Sequence, residues 1–235
     1  MNSNILIMGA SGGIGTKLCE DLLANNCNLF LAEHKNIIKV KSIAGKLKVD
    51  ATNFNSVQSF IEQGITQLGT IDGIVNLVGN LILKPAHRVS ELDFSNSVNL
   101  NLKSSFALVK SAGALLDNCS IVLMSTAASK IGLANHELIC MAKSGIEGLA
   151  KSAAKTYSRK NIRVNTVSPG LVKTQLSIGI TQNPIALKAS EKMHALGRIG
   201  KPKDISNMIT YLLNKENNWI TGQDFIVDGG LSSTK

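Results

Sequence analysis

Short apolar runs alternate with helical patterns along the whole chain, and this alternation is the feature that most limits its fold. Several of the runs are continuously apolar, as is typical of parallel strands buried on both faces. They cover residues 5–8, 28–32, 46–49, 73–78, 120–125, 162–167 and 224–227. Between them, apolar residues recur at helical spacing, as at Val57, Phe60 and Ile61. This order predicts an α/β fold: one doubly wound, Rossmann-like sheet of seven parallel strands with helices on both faces.

The composition fits a single domain over residues 1–235, because 44% of the residues are hydrophobic and only 17% are charged. No apolar stretch approaches the roughly 18 residues that a membrane span requires. The first residues lack the basic and apolar regions of a signal peptide. The four cysteines show neither CxxC nor metal-like spacing. We therefore expect a cytoplasmic protein with no membrane partner, no metal site and no disulfide.

The formal net charge of +9 favours anionic partners such as nucleotides. The lysines are scattered, and only 4% of the residues are aromatic, so no stacking platform for bases accompanies them. The sequence therefore argues against a nucleic-acid partner.

The first predicted strand runs into a glycine-rich turn, within ILIMGASGGIGTKLCEDLL. Gly9, Gly13 and Gly15 give it the spacing G-x-x-x-G-x-G, and a helical pattern follows. A helix that begins at such a turn presents free N–H groups and the positive end of its dipole, an arrangement that binds a pyrophosphate. The turn therefore predicts a dinucleotide site at the carboxyl ends of the strands.

The second predicted strand is followed by Glu33, 18 residues after Gly15. A carboxylate there can accept hydrogen bonds from an adenosine ribose and repels a 2′-phosphate, which favours NAD. His34 and Lys35 come directly after it and could neutralise such a phosphate. NAD is thus the preferred cofactor, and NADP stays open.

Further stretches of the chain strengthen the interpretation, because together with the turn they resemble the short-chain dehydrogenase/reductase family in that family's order. They are VDAT at 49–52, NLVG at 76–79, VNLNLKSSF at 98–106, IRVNTVSPGLVKT at 162–174 and WITGQDFIVDGG at 219–230. The resemblance implies an NAD- or NADP-dependent oxidoreductase that acts on a carbonyl or a secondary alcohol.

The resemblance also implies which residues contact the cofactor. They are Gly9, Ser11, Gly13, Ile14, Gly15, Glu33, Asp50, Asn76, Gly79, Lys143, Pro169, Gly170 and Thr174. Asp50 would touch the adenine, and the residues from Pro169 onward would surround the nicotinamide. Asn99 corresponds to a helix asparagine that holds a water leading toward the catalytic lysine.

The family's catalytic pair is a tyrosine and a lysine four residues apart on one helical face. In the helical pattern NHELICMAKSGIEGLAKSAAK the lysine is Lys143, and Ile139 stands at the tyrosine position. The family's serine on the fifth strand falls on Thr126, 13 residues before Ile139, and either this hydroxyl or that of Ser125 could polarise a carbonyl. The register is therefore kept, but an isoleucine cannot donate a proton.

No other tyrosine restores the pair, since the only two are Tyr157, which reads as a helix-end packing residue, and Tyr211. His136 is the main candidate for a replacement donor, because it precedes Ile139 by three residues on the same helical flank. It could equally be a surface residue at the helix start, and Cys140 is a weaker candidate. Lys143 keeps a role as a ligand of the nicotinamide ribose.

Two functions remain open at this stage. The first is an oxidoreductase with a non-standard proton donor, using Asn99, Thr126, Lys143 and His136. The second is a dinucleotide-binding protein that has lost hydride chemistry and serves as a sensor or assembly partner. Both predict cofactor binding.

Residues 175–196 occupy the place of the family's substrate-covering lid, and they include many apolar side chains and few charges. This predicts a small-molecule substrate that is partly apolar. An apolar patch around residues 225–231 would suit a symmetric interface, so we expect a homo-oligomer, either a dimer or a tetramer.

Overall fold

The structure, a computed structural model, describes residues 3–234, and its centre is one sheet of seven parallel strands. The strands are β1 (Asn4–Met8), β2 (Asn28–Glu33), β3 (Gly45–Lys48), β4 (Gly73–Asn76), β5 (Ser120–Met124), β6 (Arg163–Pro169) and β7 (Asp224–Val227). Each predicted run coincides with one of them to within two residues at either end. The predicted doubly wound, Rossmann-like fold is confirmed.

The helices cover both faces of the sheet. They are α1 (Gly13–Ala24), α2 (Phe54–Leu68), α3 (Glu91–Ser97), α4 (Ser104–Leu115), α5 (Glu137–Thr156), α6 (Ile178–Thr181), α7 (Pro184–Met193) and α8 (Pro202–Leu213). Helices α2, α4 and α5 pack on one face, and α1 and α8 pack on the other. Each layer closes its own apolar core against the sheet, as the continuously apolar strands require.

Helix α2 shows how local sequence sets an element. The Asn53 side chain caps its first turn by accepting a hydrogen bond from the Ser56 N–H at 3.1 Å. Gly69 ends the helix with φ +80°, a backbone conformation that favours glycine. Val57 and Phe60 at helical spacing are fully buried, and the Phe60 ring stacks on that of Phe30 from β2. The predicted apolar stripe is therefore the face that packs on the sheet.

The strand order is β3-β2-β1-β4-β5-β6-β7, so the chain changes direction across the sheet between β1 and β4. In doubly wound sheets a crevice opens at this switch point, beyond the carboxyl ends of the strands. The glycine-rich turn follows β1 and residues 77–79 follow β4, so the sheet brings the two segments together.

Within residues 3–234, the structure contains no helix that is both long enough and apolar enough to span a membrane. The same part of the chain holds no group of three histidine, cysteine or acidic residues arranged to bind a metal. All four cysteines are free thiols.

Candidate functional site

The glycine-rich turn is shaped by contacts that exclude side chains. Gly9 has φ +83°, and a Cβ there would lie 2.8 Å from the carbonyl carbon of Leu77, the residue that follows β4. A Cβ on Gly15 would lie 2.3 Å from the Gly9 carbonyl oxygen. Helix α1 begins at Gly13, and its N-cap, Gly12, provides no side chain to cap the first turn. The first-turn N–H groups are therefore available to an anion.

The loop at 170–174 follows β6 and covers this turn. The Thr174 side chain packs against Gly13 so closely that a Cβ there would lie 2.9 Å from the Thr174 Cγ2 atom. Pro169 ends β6, and Gly170 is surrounded so tightly that a Cβ would lie 2.7 Å from the His194 Nε2 atom. The structure thus brings the predicted nicotinamide segment beside the predicted pyrophosphate turn.

Glu33 lies at the end of β2, where its carboxylate is fixed through one oxygen. Its Oε2 atom accepts hydrogen bonds from the Lys46 Nζ atom at 2.8 Å and from the Ile38 N–H at 3.0 Å. These two hydrogen bonds, with that from Lys46 the stronger, hold the pKa of Glu33 below its usual value. The group is therefore a carboxylate at neutral pH with its second oxygen free to accept from a ribose hydroxyl.

Two other predicted cofactor contacts form hydrogen bonds with protein groups. The Asp50 Oδ1 atom accepts hydrogen bonds from the Thr52 hydroxyl at 2.7 Å and N–H at 2.9 Å, which lower the pKa of Asp50. Asn76 is buried; its amide donates to the Ser104 and Ser105 hydroxyls, and its oxygen accepts from the Val78 N–H. The Asn76 side chain therefore fixes the segment after β4, and only its oxygen keeps a lone pair that can accept from a ligand.

The Lys143 side chain is buried at the carboxyl edge of the sheet, with its residue 8% exposed. Its Nζ atom donates to the Met124 carbonyl of β5 at 3.0 Å, and the structure gives it no ion pair within residues 3–234. Burial lowers the pKa of Lys143 to about 8. The ammonium keeps two further protons for other acceptors, such as sugar hydroxyls.

Asn101, and not the predicted Asn99, is the asparagine beside this lysine. A Cβ on Gly79 would lie 2.5 Å from the Asn101 Oδ1 atom and 3.5 Å from the Lys143 Nζ atom. The Asn101 amide donates to the Asn80 side-chain oxygen at 2.7 Å and to the Ser97 carbonyl at 2.9 Å. Its buried Oδ1 atom has no hydrogen-bond partner among the described residues.

The two asparagines face different ways because of helix geometry. Residues two apart on a helix point to roughly opposite sides of its axis, so only one of the pair can face Lys143. Both lie in a π-helical segment, Val98–Lys103, between α3 and α4, which alters the local register. Asn101, and not Asn99, is therefore positioned to hold the water that leads toward Lys143. Residue spacing alone could not distinguish the two asparagines.

The two candidate hydroxyls after β5 have different surroundings. The Ser125 hydroxyl donates to the Glu147 carboxylate at 2.6 Å and lies 3.2 Å from the Lys143 carbonyl oxygen. The Thr126 hydroxyl accepts from the Ala128 N–H at 3.3 Å, which leaves its own proton free to be donated. Thr126 is therefore the hydroxyl that can polarise a substrate oxygen.

A charged cluster holds the 3₁₀ turn Ala127–Lys130, which follows Thr126. Lys130 forms ion pairs with Glu147 of α5 and with Asp224 of β7, the second at 2.8 Å. Burial opposes the charge, but the two carboxylates outweigh it and raise the pKa of Lys130. No sequence pattern predicts this cluster, because its members lie on three separate elements.

The first turns of α5 bear the remaining predicted residues. Ile139 is buried, 4% exposed, one turn before Lys143. His136 is the half-buried N-cap residue, and its Nδ1 atom lies 2.8 Å from the Ala134 carbonyl oxygen. Because a carbonyl only accepts, Nδ1 bears the proton and Nε2 is free to exchange one with a ligand. Tyr157 ends α5 and packs against Gly113, far from this turn.

The predicted lid forms a 3₁₀ turn, Gln175–Ser177, followed by α6 and α7. Several of its apolar side chains are open to solvent, and Ile185 is the most exposed at 82%. His194 follows α7 and is buried, and no sequence pattern marks it as a site residue.

Comparison with known proteins places this geometry in a family. The family model described as enoyl-(acyl carrier protein) reductase matches residues 9–232. The short-chain dehydrogenase/reductase aba4 of Botryotinia fuckeliana is 32% identical over an alignment of 254 residues. The alignment covers 97% of this chain and 96% of that protein.

Solved structures share the fold over the full length of the chain. A short-chain type dehydrogenase/reductase from Mycobacterium ulcerans aligns with a TM-score of 0.93 at 22% identity, covering 100% of this chain and 91% of its own. The structure described as ElxO with NADP bound aligns with a TM-score of 0.89 at 25% identity and covers 100% of both chains. On the strength of the family model and the relative from Botryotinia fuckeliana, this chain belongs to the short-chain dehydrogenase/reductase family of NAD(P)-binding oxidoreductases.

Proposed function

We propose that this protein is an NAD(P)-dependent oxidoreductase that interconverts a carbonyl and a secondary alcohol without a tyrosine as proton donor. The observation that supports the proposal most directly is the buried Lys143 ammonium, which borders Gly79 and Asn101 at the edge of the sheet. An uncompensated buried charge destabilises a fold, so a site that retains one has a use for it.

The residues present fit a dinucleotide. The uncapped first turn of α1 would hold the pyrophosphate, and Lys143 would donate to the nicotinamide ribose. The free Glu33 oxygen would accept from the adenosine ribose, which favours NAD over NADP. Bound there, the cofactor would supply or accept the hydride.

The protein's own groups would act on the substrate oxygen. The Thr126 hydroxyl donates a hydrogen bond that polarises the carbonyl during reduction. His136 lies on the helical flank of Ile139 and Lys143, and its ring, when it carries a proton on both nitrogens, can pass the Nε2 proton to that oxygen and return to the neutral form. The lid from 175 to 196 would cover the substrate with apolar side chains, which suits a partly apolar molecule.

Single-turnover hydride transfer tests the proposal. The protein would be mixed with NADH or NADPH and a panel of apolar ketones, and cofactor oxidation would be followed from pH 5 to 9. We expect oxidation of the cofactor that is faster with NADH than with NADPH. His136→Ala should lower the rate about 10²-fold or more, whereas His87→Ala, at an exposed position, should not change it.

The outcomes separate the alternatives. An unchanged rate in His136→Ala would exclude the histidine as donor and leave the oxidoreductase in place. Tight dinucleotide binding without oxidation of any cofactor would instead favour a non-catalytic binding protein. Failure to bind either dinucleotide would contradict the proposal as a whole.

A further inference from the structure

His194 is a buried histidine that lies outside the set of residues given a catalytic or binding role above. It is the residue directly after α7, at the end of the lid, and only 4% of it is exposed. Imidazole is a polar group that is costly to bury unless both ring nitrogens are satisfied.

Both nitrogens have partners, and the partners come from different segments. The Nδ1 atom lies 2.6 Å from the Ser190 carbonyl oxygen of α7, and the Nε2 atom accepts from the Leu171 N–H at 3.3 Å. A carbonyl only accepts and an N–H only donates, so these contacts fix the neutral ring with its proton on Nδ1. The ring therefore joins the lid helix to the loop after β6.

The packing around the ring leaves the loop little freedom. A Cβ on Gly170 would lie 2.7 Å from the His194 Nε2 atom and 3.0 Å from the Asp228 Cα atom. The next backbone group, the Leu171 carbonyl, accepts from the Gly200 N–H at 2.8 Å. The loop is held from both sides by groups of the C-terminal third of the chain.

The same loop forms one wall of the dinucleotide site. Thr174 packs on Gly13 of the glycine-rich turn, where a Cβ would lie 2.9 Å from the Thr174 Cγ2 atom. The Ser177 hydroxyl stabilises the loop by donating a hydrogen bond to the Val172 carbonyl oxygen at 2.6 Å. A shift at Leu171 would therefore be transmitted over only three residues to the turn that would hold the pyrophosphate.

We propose that His194 is a positioning residue for dinucleotide binding: its neutral ring holds the loop at 170–174 against the glycine-rich turn and ties that loop to α7. The role rests on the proposed function, since it concerns the binding of the same cofactor. It adds that the lid and the cofactor site are mechanically linked through one side chain.

The test compares His194→Leu, which removes both hydrogen bonds, with His194→Gln, whose amide oxygen can still accept from the Leu171 N–H. Ser190→Ala is the matched control, because its hydroxyl donates within α7 to Ala186 and its carbonyl is unchanged. The Kd of NADH would be measured by fluorescence titration, and amide hydrogen exchange of residues 170–174 would be measured without cofactor.

We expect His194→Leu to raise the Kd of NADH about tenfold and to speed exchange in the loop, because an unsatisfied buried N–H disfavours the bound conformation. His194→Gln should restore both values to within about threefold of the unmodified protein, and Ser190→Ala should change neither. The Tm without cofactor shows whether a variant is folded at the temperature of the titration.

Two results would overturn the role of His194 alone. One is wild-type affinity and loop exchange in His194→Leu; the other is a His194→Gln variant as impaired as His194→Leu, which would show that packing and not the hydrogen bond matters. If the unmodified protein bound neither NADH nor NADPH, the proposed function would fall as well, so the two failures are distinguishable.

Discussion

At the scale of single residues, the site combines a retained lysine with a missing phenol. Lys143 and Ile139 lie one turn apart on α5 and are both buried. The lysine has a single hydrogen bond, to Met124, and the isoleucine offers only a methyl-covered surface. Any proton that reaches a substrate oxygen there comes from another group.

Restoring the phenol is expected to increase activity. In Ile139→Tyr the new hydroxyl would lie on the same helical face as Lys143, whose positive charge lowers the pKa of a nearby phenol. In a His136→Ala background, where no other donor competes, the rate of single-turnover hydride transfer should rise by about 10²-fold or more, as a positioned general acid provides. A folded variant, checked by circular dichroism, with an unchanged rate would show that the proton donor does not limit this protein.

The lysine itself is expected to cost stability. Burial lowers the pKa of Lys143 from 10.5 to about 8, a penalty of about 3 kcal/mol for the charged form at pH 7. Between about pH 8 and 10.5 the unfolded chain holds a proton that the folded protein has lost, so the free energy of unfolding rises with pH there.

Lys143→Met should therefore increase the free energy of unfolding at pH 7 by about 2 kcal/mol, after about 1 kcal/mol for the lost hydrogen bond to Met124. The gain should disappear as the pH approaches 10.5, and the Kd of NADH should increase. Urea unfolding at pH 7 and pH 10 measures this, with Lys151→Met, at an exposed position of α5, as control. A variant that is less stable at pH 7 would contradict the sign.

At the scale of elements, two short segments at the carboxyl edge of the sheet are built in different ways. In the glycine-rich turn, backbone segments approach each other so closely that a side chain on Gly9 or Gly15 would clash. The turn that follows Thr126 depends on charges from α5 and β7.

Within the glycine-rich turn, two alanine substitutions should differ sharply. A Cβ on Gly15 would lie 2.3 Å from the Gly9 oxygen, whereas the nearest atom to a Cβ on Gly12 is that oxygen at 3.4 Å. Gly15→Ala should lower the free energy of unfolding by about 1–3 kcal/mol, as overpacking does, and abolish dinucleotide binding. Gly12→Ala should retain both within a small change. Thermal unfolding and NADH titration test the pair, and equal effects would disprove the steric explanation.

The Lys130 cluster predicts a similar contrast between buried and exposed charges. Glu147 and Asp224 have side chains that are 13% and 12% exposed, so Lys130→Met leaves two largely buried carboxylates without their cation. We expect a loss of about 3 kcal/mol in the free energy of unfolding. Arg198→Met, which removes an ion pair whose arginine and Asp204 side chains are 45% and 32% exposed, should cost much less. Denaturant titration measures the free energy of unfolding of both variants. Comparable losses in the two would contradict the dependence on burial.

At the scale of the whole molecule, β7 is an edge strand that is only partly buried. Ile226 in this strand is 44% exposed, and Trp219 just before it is 97% exposed. An exposed apolar edge is a common place for a second copy to pack. We therefore expect a dimer or a tetramer in solution.

Sedimentation of the purified protein tests this expectation. Ile226→Asp should reduce the assembled mass by weakening the interface at β7. Ile185→Asp, on the lid, introduces the same charge at a more exposed position, 82% exposed, and should leave the mass unchanged. A monomer at all concentrations, or an assembly unaffected by Ile226→Asp, would place the interface elsewhere or exclude it.

Local patterns in the sequence determined the strands, the start of α1 and the register of α5. Apolar runs mark buried strands because a strand inside a parallel sheet meets apolar neighbours on both faces. The glycine spacing and the separation of Ile139 from Lys143 are likewise properties of adjacent residues, and the structure keeps them.

Only the tertiary structure decided which side chains meet. The strand order places β1 beside β4, so that Gly9 touches Leu77. Side-chain packing places Asn101, and not Asn99, beside Lys143. It also gives the Ser125 hydroxyl a partner in Glu147, and it buries His194 against Leu171. These contacts join residues far apart in the chain, whereas residue periodicity reports only which face of its own element a side chain occupies.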